Sequence, residues 1–130
     1  MNPISKLVAL LRASGAELHE GVYVYSIVPA GMDPSRIDAL AIFKESEGTT
    51  VVVREREAEK TRLPVLFRVA WITLKELPDS NIGGLIQGLK ELGLSCNIVA
   101  AVYHHHLFVP VNVASEAFAR LRSAEATGCR

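Results

Sequence analysis

Val51-Val52-Val53 precedes Leu107-Phe108-Val109 by 56 residues, and the same spacing carries Ile42-Phe43 onto Ile98-Val99 and Ala58 onto Ala114. A chain of 130 residues that repeats its apolar pattern at this distance is most simply a duplication of one small unit. Each copy is too short to bury a self-sufficient core, so the pair is expected to fold as one body. The first strands, at Val22 and Phe67, require a spacing of 45 instead. The shortfall means that the second half carries a full helix where the first has only the loop PAGMDPSRIDA.

The local patterns agree with that reading. Asn2 can cap a helix with Pro3 at its first position, and Ile4, Leu7, Val8 and Leu11 then share one stripe, with Gly15 as the stop. Val22 to Val28 is β-branched and aromatic, as a strand requires, and the proline and glycine punctuation after it leaves room for a short helical turn near Ser35 to Asp38. Two apolar runs flank Glu47-Gly48, which predicts a hairpin. The charged REREAEK segment reads as a solvated helix with little to bury. Beyond Leu63-Pro64, Leu66 to Leu74 predicts a buried strand. Asp79 or Ser80 can cap a helix carrying Ile82, Leu85, Ile86, Leu89 and Leu92 on one face, ended by Gly93. SCNIVAAVY and HLFVPV predict the last two strands, and Asn112 is placed to cap a final helix that turns Ala114, Ala117, Phe118 and Leu121 inward. Two βαββα units of this kind are the halves of a ferredoxin-like α+β fold, each an antiparallel sheet with helices on one face.

Composition narrows the function. Lysine and arginine total 14, equal to aspartate plus glutamate, and no basic block interleaves with aromatics, which argues against a nucleic-acid partner. No run approaches the roughly 20 apolar residues of a membrane span, and the N-terminus lacks the features of a signal peptide. Cys96 sits in an apolar run and Cys129 in a polar tail, so one buried and one loose thiol are expected rather than a disulfide. A soluble, cytoplasmic protein follows.

The three adjacent histidines, His104-His105-His106, are the most chemically loaded feature. The simplest reading makes His104-His105 a hairpin turn, pairing Tyr103 with His106, Val102 with Leu107 and Ala101 with Phe108, since histidine tolerates positive φ. The rival reading is a metal chelate from His104 and His106, which strand alternation puts on one side. It lacks ligands: Cys96 lies roughly 26 Å away along an extended strand, and His19 precedes a different strand. A catalytic pair would need a nucleophile or orienting acid that the pattern does not supply. NIGGLIQG has neither the lysine of a phosphate-binding loop nor the GxGxxG spacing. Trp71 reads as core, or as the border of a pocket.

Taken together, MNPISKLVALL, FKESEGTTVVV, FRVAWITL, LGLSCNIVAAVYHHHLFVP and ASEAFARL resemble the small bacterial proteins built of two tandem ACT domains, relatives of aspartokinase regulatory domains and of arginine-sensing ACT pairs. The resemblance runs from Met1 to about Arg122. It implies two tandem ferredoxin-like ACT domains, over 1–63 (an N-terminal helix plus a first domain with a degenerate first helix) and 64–130, with a disordered tail from about 123. It further implies a non-catalytic, regulatory amino-acid binder without a cofactor. In such pairs the ligand sits at a domain or subunit interface, against the loop after a first strand and the second strand of a neighbour. Those positions here are the Glu76 to Gly84 loop and the Ser95 to Val99 strand start, giving Asp79, Ser80, Asn81, Ile82, Asn97 and Ile98 as expected ligand contacts. A zwitterion needs N–H donors at a helix start for its carboxylate and an acceptor for its ammonium. Helix capping is an equally good use of Asp79 and Ser80. The implied partners are a free amino acid, a second copy of the chain through unpaired sheet edges, and a regulated enzyme or regulator, with no nucleic acid and no membrane. The rivals are an assembly module whose pocket has decayed and a histidine-dependent metalloenzyme.

Overall fold

A computed structural model describes residues 3–76, 78, 82–91, 93 and 97–126. Cys96 and Cys129 lie outside the described residues, as do Asp79, Ser80 and Asn81. The elements run α1 (Pro3–Ala13), β1 (Ala16–Leu18), β2 (Tyr23–Ile27), a 3-10 turn (Pro34–Arg36), β3 (Ala39–Lys44), β4 (Thr49–Arg54), α2 (Glu55–Thr61), β5 (Phe67–Leu74), α3 (Ile82–Glu91), β6 (Asn97–Ala100), β7 (His105–Pro110) and α4 (Val111–Ala126). They form two compact units: an inner one over 20–69, and a flanking one made of residues up to 19 together with those from 70 onward. Strand β5 contributes its first residues to the inner unit and the remainder to the flanking one.

In the inner unit the strand order is β3-β4-β2-β5. β2 pairs antiparallel with both β4 and β5, and β3 pairs antiparallel with β4 across a bulge at Leu40. Val24, Val51 and Val53 turn to one face and meet Ile37, Ala58 and Leu63. Ala58 is the buried residue of α2, which is what a charged seven-residue helix can offer. Where the second half has a helix after its first strand, this unit has the 3-10 turn, begun by Asp33, whose carboxylate accepts from the Ser35 N–H at 3.0 Å.

In the flanking unit β1 pairs antiparallel with β5, and the order continues β5-β7-β6. Ile72, Leu74, Leu107 and Val109 form the floor on which Leu7 and Leu11 of α1, Leu85 and Leu89 of α3, and Ala114, Ala117, Phe118 and Leu121 of α4 pack. Periodicity predicted these buried positions on all three helices, but it also placed Ile86 on the inward face of α3, where the structure leaves it 41% exposed. Gly88 lets α1 and α3 approach closely, since a Cβ there would stand 2.6 Å from Leu10 Cδ1. Gly15, at φ 58°, turns the chain from α1 into β1 in a conformation that only glycine adopts freely.

Four expectations are corrected. The N-terminal helix, assigned by sequence order to 1–63, packs in the unit that holds residues 70–126, because Leu7, Val8 and Leu11 bury against that unit's strands and helices. The β6–β7 turn is centred on Val102-Tyr103, which are 91% and 88% exposed, with the Ala101 N–H donating to the His104 carbonyl at 3.1 Å. Val99 therefore faces His106 and Ala100 faces His105. The expected register would have set Ile98 opposite Val111, beyond the end of β7; the observed one sets it opposite Leu107 and keeps it against the core. Asn112 lies inside the first turn of α4, which starts at Val111. Finally, Val22 and Phe67 do not match as strand positions. Val22 packs on the inner core, whereas Phe67 pairs with Tyr25 and is 66% exposed, and an odd offset in a period-two strand exchanges its faces.

Candidate functional site

Strand alternation in the flanking unit sends Ala70, Ile72 and Leu74 of β5 toward the helices, and so turns Trp71 and Thr73 to the opposite face. Leu107 and Val109 do the same in β7, which leaves His106 beside Trp71 and Thr73. Glu17 lies opposite Thr73 in the β1 ladder, and the His19 N–H donates to the Trp71 carbonyl at 2.9 Å, bringing His19 onto the same patch.

These side chains form a connected polar network. The rings of His19 and Trp71 stack, with centroids 3.5 Å apart and planes inclined by 12°. The Trp71 indole N–H donates to His106 Nδ1 at 3.0 Å. An indole nitrogen can only donate, so His106 Nδ1 accepts and a neutral His106 keeps its proton on Nε2. The Thr73 hydroxyl stands 2.6 Å from His19 Nε2 and 3.2 Å from His106 Nδ1, bridging the two rings. Burial, then repulsion from His104, His19 and His105, lowers the pKa of His106 below the usual imidazole value. His104 Nδ1 is buried with no hydrogen-bond partner among the described residues. The hydroxyl–imidazole pairing has the parts of a nucleophilic site, but Thr73 is 4% exposed, so its hydroxyl is withdrawn from the surface. Among the described residues no group of three or more His, Cys, Asp or Glu side chains is arranged to hold a metal.

The accessible space lies next to this network. A cavity of about 440 Å³ opens at the end of β5, between Leu74, Lys75 and Pro78 on one side and the Ala100–His105 turn on the other. The Lys75 ammonium bonds Glu17 Oε1 at 2.9 Å, with both side chains half-exposed. That hydrogen bond, reinforced by the ammonium's charge, holds the Glu17 carboxyl below its ordinary pKa. The volume is within the range of about 300–1,000 Å³ found for small-ligand sites. Two further concavities among the described residues, near Glu20 and Arg54 and near Pro29 and Asp33, belong to the inner unit.

Residues 2–70 match the model of a family described as the ACT domain. The chain belongs to the ACT domain family. ACT domains are typically regulatory and non-catalytic. A crystal structure of a Vibrio cholerae protein of unknown function, titled a possible transport protein, is similar at a TM-score of 0.70 and 30% identity, covering 94% of this chain and 98% of that one. A protein from Agobacterium tumefaciens shares the fold at a TM-score of 0.61 and 16% identity, over 84% of this chain and 87% of that one. No curated protein matches the chain. Among the described residues no helix of this ACT protein is long and apolar enough to cross a membrane.

Of the six expected ligand contacts, Asp79, Ser80 and Asn81 lie outside the described residues. Ile82 begins α3 and is half-buried. Ile98, opposite Leu107, faces the core, whereas Asn97, opposite Phe108, faces away from the helices, so the two adjacent side chains leave β6 on opposite sides. Pro78, inside the expected Glu76 to Gly84 loop, does line the cavity. Sequence reasoning missed Lys75, Glu17 and the His19–Trp71–Thr73–His106 network. The usable signal was alternation in VAWITL, which sets Trp71 and Thr73 against the core-facing Ala70, Ile72 and Leu74.

Proposed function

We propose that this ACT protein is a cytoplasmic, non-catalytic sensor that binds a free amino acid or similar small zwitterion and passes its occupancy to a regulated partner. The observation that carries this reading is the cavity at the end of β5, which lies at the loop where ACT-type binding is expected and has Lys75 in its wall. Lys75 supplies a cation for the carboxylate of such a ligand. Asp79, Ser80 and Asn81 follow Pro78 directly in sequence and, with Ile82, Asn97 and Ile98, remain the ligand contacts that the ACT resemblance implies.

The proposal includes a tandem arrangement divided at residues 63 and 64, with α1 as an addition to the second copy. It is supported by β4 and β7, whose bounds, Thr49–Arg54 and His105–Pro110, differ by the 56 residues of the sequence repeat. β3 and β6 each end their strand order, and such edges favour a homodimer.

A thermal-shift panel of the twenty amino acids at millimolar concentration tests the reading. A ligand at about 100 times its Kd stabilises the native state by about 2.7 kcal/mol, and a rise of several degrees in Tm with one amino acid or a chemically related group is expected. A panel without any stabilisation would leave an assembly module as the better account.

A further inference from the structure

We propose that the cavity at the end of β5 selects ligands with two carboxylates: a short dicarboxylate, of which an acidic amino acid is one form. This rests on the reading that the cavity is the ligand site, and adds which chemistry it prefers. The ionisable side chains in its wall are Lys75, His104, His105 and Tyr103, and no carboxylate lines it among the described residues. Those groups lie at opposite sides, the ammonium at the end of β5 and the imidazoles on the β6–β7 turn. An ammonium has three donors, and the ion pair with Glu17 leaves Lys75 able to bind a ligand carboxylate as well.

His104 supplies the second donor. Its Nδ1 is buried without a partner among the described residues. A buried N–H without an acceptor is rarer than an under-used lone pair, so the proton belongs on Nε2, at the other side of the ring. His104 lines the cavity, and an Nε2–H turned toward it would suit a carboxylate oxygen. A cationic side chain entering the same space meets the Lys75 ammonium, and Glu17, the nearby carboxylate, is already bonded to Lys75. Like charges at close range disfavour that occupant.

Titration calorimetry on the full chain with aspartate, succinate, alanine and lysine tests the proposal. Aspartate and succinate should each bind at least ten-fold more tightly than alanine, with lysine weakest. Lys75→Met should weaken both dicarboxylates ten-fold or more, and His104→Gln should weaken them several-fold. Glu17→Gln, which releases Lys75, should tighten succinate. Lys75 is half-exposed, so its variant should fold, and the melting curve of each variant checks this. Equal binding of alanine and aspartate overturns the dicarboxylate preference and leaves the zwitterion reading standing. Succinate binding while none of the three amino acids binds sustains the preference and removes the amino-acid reading. Absence of binding by all four overturns both.

Discussion

Each unit has one sheet face turned away from its own helices, and the two faces are built from different chemistry. On the inner unit, Tyr25, Ile27, Phe43 and Phe67 project there, with Ile27 and Phe67 48% and 66% exposed. Tyr25 and Phe67 meet edge-on at 6.2 Å. On the flanking unit the face carries His19, Trp71, Thr73 and His106, joined by directional hydrogen bonds and one ring stack. Apolar side chains tolerate partial exposure, and losing one leaves no polar group stranded. A polar network depends on every member, because removing one strands the others' donors and acceptors. Substitutions should therefore cost more on the flanking face than on the inner one.

The largest effect is expected at Thr73. Thr73→Val keeps the shape but takes away the hydroxyl between two imidazoles, and should cost about 2 kcal/mol in urea unfolding, the scale of an unsatisfied buried polar group. Trp71→Phe keeps an aromatic surface against His19 but deletes the N–H held by His106. It should cost about 1 kcal/mol, and should raise the His106 pKa in an NMR titration, since that N–H favours the unprotonated ring.

The pH dependence has a defined sign. The folded pKa of His106 lies below its ordinary value of 6.5, so the unfolded chain takes up the proton first as pH falls. The stability contributed by a neutral His106 is complete above pH 6.5 and is lost between there and the folded pKa. Urea midpoints measured from pH 7.5 to 5 should fall in the wild type and fall less in His106→Gln. The smallest effect is expected on the inner face: Phe67→Ser should cost about 0.5 kcal/mol or less, as for an exposed side chain with one edge contact. A cost for Phe67→Ser equal to that of Thr73→Val would break the comparison.

What was legible in the sequence follows the range of the forces involved. The faces of α3 and α4 and the β3–β4 hairpin are local patterns, in which the spacing of Leu85 and Leu89, or of Ala114, Ala117 and Phe118, carries the information. The stripe on α1 announced burial but could not name its partner, and the partner is the unit beyond residue 70. The histidine turn was misread because histidine fits a turn or a strand equally well, and the choice was made by Ile98 seeking the core and Pro110 ending β7. His19 and His106 come together only through β5, and no local pattern encodes that meeting. Lys75 escaped notice because a lysine after a buried strand is ordinary, although it directly precedes the loop expected to hold ligand.

Trp71 is the only tryptophan in the chain, and it lies flat against one imidazole while bonding to another. Protonated imidazole quenches indole emission, so the intrinsic fluorescence of this protein is an optical gauge of its histidine network. No label is needed to follow it during titration or unfolding.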